Sequence, residues 1–232
     1  MASDRVLRLL CWALIGFTIV TALLQLTVSQ NPFATQVSDS TDYVERLLIY
    51  RSDDQKIFGV AVFAALIGVG LYLMGALVGV VLRRLAPSGA AGDVMAALFV
   101  IGGILGVASQ LLYLANSQFA TYGYCDCGYK PYEVIGQAYA LGSGWTLQTW
   151  VNTGGLVIIA LAAGFAGWLV NLSRDWRLLS YLIALAALLA VALRIMDLGQ
   201  ASDITLGVAA GILVPIWAFL LARGSEKLAA AT

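Results

Sequence analysis

Six apolar stretches constrain the fold of this chain more than anything else in it. They run roughly over residues 7–28, 57–82, 94–115, 149–171, 177–196 and 204–222. About 20 residues of helix cross the hydrocarbon core of a bilayer, because each adds about 1.5 Å. Backbone polar groups find no water there, so each stretch must close its own hydrogen bonds as a helix. The sequence therefore predicts an all-α, polytopic membrane protein, a single bundle over residues 1–232 with six transmembrane helices. None of the stretches has a charged residue near its middle. Charges inside a membrane commonly mark ion or proton routes, so this pattern disfavours ion-coupled transport.

Composition supports the same class. Charged residues make up 11% of the chain and hydrophobic ones 61%, whereas a soluble domain is about 25% charged. The spans and two long loops, 29–56 and 116–148, use up the length, and no soluble domain fits in the remainder. Net charge is zero and there is no basic arm, so the bilayer, and not a nucleic acid, is the expected surrounding partner. There is no histidine, the commonest ligand for haem iron, zinc and copper. No metal and no cofactor is expected.

Basic residues alternate sides along the predicted spans. Arg5, Arg8, Arg83, Arg84, Arg174, Arg177, Arg223 and Lys227 fall on one side, with four acids. Arg46, Arg51, Lys56, Lys130 and Arg194 fall on the other, with nine. The difference is 8 − 4 = +4 against 5 − 9 = −4. The positive-inside rule then places both termini in the cytoplasm and both long loops outside. Arg5 and Arg8 ahead of an apolar run also resemble the start of a signal peptide, but the run is long, and it is read as a retained first span.

Local signals divide the loops. Arg83-Arg84-Leu85-Ala86-Pro87-Ser88-Gly89 stops the second span with cations, a Pro and a Gly. Asn171 to Asp175 is a tight connection between spans four and five, and short connections imply antiparallel neighbours. Asp42 with Glu45, and Ser52 with Gln55, have capping-box spacing. Tyr43, Val44, Leu47 and Leu48 form one apolar stripe, which predicts a short interfacial helix near 43–51. Pro131 suits a first helical turn, Tyr132, Ile135, Ala138 and Tyr139 share a face, and Gly142-Ser143-Gly144 follows. That predicts a second interfacial helix near 131–141. Pro215 predicts a kink in the last span.

Several groups of residues are candidates for a role. Cys125 and Cys127, on the oxidising side, suit a structural disulfide with each other or with another chain. Dithiol redox chemistry is the alternative; zinc would need two further ligands. Tyr122, Tyr124, Tyr129 and Tyr132 around them suit either a contact surface or an interfacial aromatic belt. At the outer tip of the last hairpin, Arg194 and Asp197 can pair at i, i+3 and Asp203 can cap the final helix. As contact residues the same three would meet an anion or a headgroup. Gln25, Gln110 and Asn152, with Ser109 and Thr153 nearby, are polar residues within spans that can bond across helices or line a cavity. Gly75/Gly79, Gly102/Gly106 and Gly207/Gly211 are GxxxG pairs, the spacing that lets helix backbones approach closely.

Ile57–Arg84, with Leu71-Tyr72-Leu73, and Arg174–Gly224, ending Trp217-Ala218-Phe219-Leu220-Leu221-Ala222-Arg223-Gly224, carry a resemblance of layout. The chain resembles a loose bacterial family of small six-helix membrane proteins of unknown function. In that family a first span precedes a long polar loop and a tyrosine-containing second span, and a late hairpin ends in a short basic tail. The Cys-Asp-Cys loop departs from that pattern. The resemblance implies a six-helix fold and brings no activity.

No nucleotide-binding loop, nucleophile elbow, HExxH or paired buried carboxylates occur. The expected function is therefore a non-enzymatic component of a bacterial plasma membrane, structural or accessory to a complex, with a membrane-protein partner or a second copy as its contact. A small-solute transporter or channel is the competing class, and a thiol-dependent redox protein the third.

Overall fold

The computed structural model describes residues 2–28, 54–87, 89–122, 131–196 and 198–231. Every regular element among them is helical: α1 (Ala2–Val28), α2 (Asp54–Leu82), α3 (Ala90–Tyr122), α4 (Pro131–Leu169), α5 (Arg174–Ile195), α6 (Gly199–Val208), a π-helical turn (Ala209–Leu213) and α7 (Val214–Ala231). Among the described residues five stretches are long and apolar enough to cross a membrane: Gly59–Leu82, Ala90–Phe119, Tyr139–Leu169, Arg174–Ile195 and Gly199–Gly224. They mark a multi-pass membrane protein. Its outer surface agrees, since Leu66, Ile104, Trp168 and Leu185 are each more than 60% exposed, which suits lipid rather than water. Several hydroxyl residues lie inside instead: Thr18, Ser109, Ser117, Thr153, Ser180 and Ser202 are buried.

The helices form a closed ring. Each packs on its neighbours in sequence, and α1 returns to pack on α7. Trp12 of α1 meets Phe219 of α7 edge-on, with ring centroids 6.1 Å apart. The first turns of the chain and its last span therefore come together at one end of the bundle. At that end Leu172, in the α4–α5 connection, lies against Gly224.

The short connections are built as their residues suggest. Arg83 pairs with Asp93 at 2.6 Å and also donates to the carbonyls of Pro87 and Gly89, so one guanidinium ties the whole α2–α3 turn. Gly89 has φ +140°, a conformation open only to glycine in practice. Ser173 caps α5 by accepting from the Trp176 backbone N–H at 3.2 Å. Asp203 does not cap the last span, contrary to expectation. It sits within α6, past the Leu198 N-cap, and accepts from Arg194 instead.

Further expectations are corrected. Gly142-Ser143-Gly144 does not end a short interfacial helix; α4 runs through it for 39 residues, about 58 Å at helical rise. The helix is unbroken between the segment expected at the interface and the span expected from about 149. The reason is packing: a Cβ on Gly144 would lie 2.5 Å from Asn116 Oδ1, so this glycine admits α3 rather than breaking α4. The interfacial helix expected near 43–51 lies outside the described residues. Pro215 is accommodated by the π turn just ahead of it, where the Val214 N–H bonds to the Ala209 carbonyl, five residues back. The extra residue turns the buried stripe, which runs Ser202, Leu206, Ala209 and resumes at Trp217, Ala218, Leu221, Ala222. The same turn divides one GxxxG pair. Gly207 belongs to α6 and Gly211 to the π turn, so the two do not share the continuous α-helical face that the spacing implies.

The tightest packing joins α3 to α4. A Cβ on Gly155 would lie 2.9 Å from Gly106 N and 3.0 Å from Gly102 O, so backbone meets backbone. Gly154, one position away, faces open space. Gly155→Val should lower the stability of the bundle by about 1–3 kcal/mol or more, the usual cost of forcing extra atoms into a packed contact, while Gly154→Val changes it little. Thermal unfolding of the two variants in the same detergent checks this contrast.

Candidate functional site

The interior of the ring holds a polar node and an apolar slot. In the node, the Tyr72 hydroxyl on α2 donates to Asn152 Oδ1 on α4 at 2.6 Å. Ser109 Oγ on α3 lies 3.1 Å from the same oxygen and 2.7 Å from the Gly106 carbonyl. A hydroxyl has one proton, so Ser109 serves one of these acceptors at a time. Gln110 donates to Ser109 Oγ at 3.3 Å. Ser109 and Tyr72 are 0% and 3% exposed. Three helices are thus joined through one amide oxygen.

The glycine contacts place this node. Gly106 leaves room for the Tyr72 ring, since a Cβ there would lie 2.0 Å from it. Gly68 does the same for Gln110, at 2.5 Å. Gly79 admits Phe99, and Gly102 admits Ile159.

Toward the end of the bundle that carries both chain termini lies an aromatic floor. Trp176 and Trp217 stack with centroids 5.5 Å apart, and Phe99 lies 6.4 Å from Trp217. Trp217 Nε1 donates to Ser180 Oγ at 2.8 Å, and Ser180 donates to the Trp176 carbonyl at 2.9 Å. The buried Trp176 indole N–H has no partner among the described residues.

Between node and floor runs a slot of about 80 Å³ to which all six rods of the ring contribute. Its wall is apolar apart from Thr18 and Tyr72. Thr18 donates to the carbonyl of Leu14 on its own helix, and Tyr72 is held by Asn152, so neither hydroxyl needs water. Left unfilled, a void this size forfeits about 2 kcal/mol of packing, at about 24 cal/mol per Å³.

The residues singled out from sequence separate into three sets. Gln110 and Asn152 come together, with Ser109 between them. Gln25 is described only as helical backbone in α1, as are Tyr122 in α3 and Tyr132 in α4. Tyr124, Cys125, Cys127, Tyr129 and Asp197 lie outside the described residues. Cys11, the cysteine that is described, is buried and unpaired. Arg194 and Asp203 pair with each other; the Arg194 side chain is 13% exposed, less open than a surface contact would need. Of the GxxxG pairs, Gly79, Gly102 and Gly106 make close contacts and Gly75 a looser one, 3.8 Å from Ile159. The expectation that Gly207 and Gly211 pack a helix together is corrected. Gly207 meets nothing within 4 Å, and Gly211 lies in the π turn, where the α-helical register is interrupted. Tyr72 belongs to the node without standing among the polar candidates read from sequence. The usable signal is a phenol in mid-span, where its hydroxyl must find a partner.

No family model, no curated protein and no solved structure matches the chain. The likeness of layout drawn from the sequence therefore gains no relative, and function rests on the geometry.

The node makes a graded prediction. Tyr72→Phe removes one donor and should cost about 1 kcal/mol. Asn152→Leu orphans the buried Tyr72 hydroxyl, while Ser109 keeps the Gly106 carbonyl, and should cost more, about 1–3 kcal/mol. The double variant should be less destabilised than the sum of the singles. Chemical denaturation of the four proteins in mixed micelles measures the cycle.

Proposed function

We propose that this chain is a non-enzymatic, six-span protein of a bacterial plasma membrane, acting as a structural or accessory component of a larger membrane complex. The observation that carries the reading is how the interior polar groups are used. Tyr72, Ser109, Gln110 and Asn152 are bonded to one another across α2, α3 and α4, and the slot beside them is apolar. Groups engaged in holding helices together do not line a path for a polar solute. This favours a scaffold over the competing small-solute channel through Gln110 and Asn152.

The sixth crossing is α1. Residues 9–28 carry no charge, and the helix seats between α2 and α7 to close the ring. A rod packed alongside α2 and α7 supports counting it as a further span. Both termini are proposed to be cytoplasmic, on the +4 against −4 asymmetry. The common end reached by Trp12 and Phe219 supports placing both termini on one side. The outer loops, with Tyr122, Tyr124, Tyr129, Tyr132 and the proposed Cys125–Cys127 disulfide, are the proposed contact surface, where a flat helix near 43–51 would lie.

Two experiments test this. In intact cells, an impermeant thiol reagent should label Lys130→Cys but not Ser88→Cys, each in a background without native cysteines; the reverse pattern overturns the orientation. Purification from the native host in mild detergent should bring down another membrane protein in stoichiometric amount. A lone chain or oligomer that conducts a polar solute in vesicles would instead favour the channel.

A further inference from the structure

We propose that the slot at the centre of the ring is a binding site for one hydrocarbon chain, supplied by a membrane lipid. The slot is made by coincidence of small residues. Gly75 on α2, Ala160 and Ala163 on α4, Ala187 on α5, and Ala209 and Ala210 in the π turn all face the same space. The π turn is a second, independent irregularity aimed at the same place. One extra residue re-aims the last span so that Ala209 and Ala210 form the wall, and such turns recur where a helix serves a site.

Shape and chemistry name the guest. The lining runs from Leu71 to Val78 on α2 and from Leu156 to Ala163 on α4, about 10 Å along the axis at helical rise. About 80 Å³ spread over that length is a narrow channel, one chain wide. It is smaller than the roughly 150 Å³ that admits benzene in a known apolar cavity, so a linear guest fits better than a ring. Water needs two to four polar partners, and the two hydroxyls of the wall are already engaged. The lining extends along the helices, the direction in which the acyl chains of a surrounding bilayer lie.

Gly75 gives the test. An added Cβ there meets only Ile159 Cδ1, at 3.8 Å, so a larger side chain enters the slot without a collision at its root. Full-length protein and the variant Gly75→Leu would be placed in bilayers of phosphatidylcholine with dibrominated chains. Each is then extracted into mild detergent, washed, and its retained molecules counted by mass spectrometry. The wild type should keep about one molecule per protein, and Gly75→Leu at least five-fold less, with unchanged helicity. Gly154→Leu, an open glycine away from the slot, should retain as much as the wild type, which separates the slot from lipid held on the outer surface. Should Gly75→Leu fail to fold, Ala160→Val serves in its place. A retained dibrominated phospholipid identifies the chain donor as lipid. A retained apolar molecule carried from the cell, lost in Gly75→Leu, supports the same site with a free hydrocarbon as its source. Equal retention in wild type and Gly75→Leu, or no retention in either while Gly75→Leu raises the melting temperature, overturns the proposal and leaves the slot a packing void.

Discussion

The contact of backbone with backbone between α3 and α4 is the constraint from which the interior follows. Gly102 and Gly155 bring the two helices so close that no Cβ fits between them, and Gly155 rests on the Gly106 backbone. Inside lipid there is no hydrophobic force pushing helices together, so association rests on close packing and on bonds across the interface. The glycines supply the first and permit the second. Only at that separation does Ser109 reach the Asn152 amide oxygen, and only with Gly106 bare does the Tyr72 ring slide in to reach the same oxygen. Steric smallness at three positions thus precedes the hydrogen bonds and positions them.

The rest of the ring is arranged around this pair. α2 is held to it by Tyr72 and by Phe99 against Gly79. α5 is held by a second close approach, in which Gly164 and Gly167 of α4 meet Ala184 and Ser180. α7 joins through the stacked tryptophans and the Ser180 hydroxyl. α1 joins through apolar contact, with Leu7, Cys11 and Leu14 buried in the common core. The ring therefore combines an arc bonded through polar groups with a closing member seated by its apolar face.

Much of this is readable from the chain, and the failures have physical causes. Long uncharged runs force helices in lipid, so helices stand where α2, α3, α5 and the last span are expected. A helix break is expected at a point where α4 is continuous because glycine has two opposed uses. Gly142-Ser143-Gly144 has the composition of a helix end, but Gly144 is bare to make room for Asn116, and sequence alone does not say which neighbour comes near. The pair at Gly207 and Gly211 misleads for a related reason: four-residue spacing implies a shared face only while the helix keeps its α register, and here it does not. Asp203 is similarly ambiguous: a carboxylate near a helix start can cap it, or can answer an arginine on the preceding helix, as it does here. Gln110 and Asn152 are legible as polar residues in apolar surroundings. Their meeting is not, because it depends on the register between α3 and α4. Closure of the ring by α1 carries no local signal at all.

The π turn between α6 and α7 has a consequence for how this chain can change. It holds one residue more than the helix around it needs. Deleting any one residue between Ala209 and Leu213 would restore an ordinary helix, but would rotate one half against the other by about 100°, the angle per residue of a 3.6-residue turn. Either Asp203 would leave Arg194, or Trp217 would leave Trp176 and Ser180. The two ends of the last span are each anchored in their own orientation, and this turn is the swivel that reconciles them. Length in that segment is consequently far less negotiable than side-chain identity.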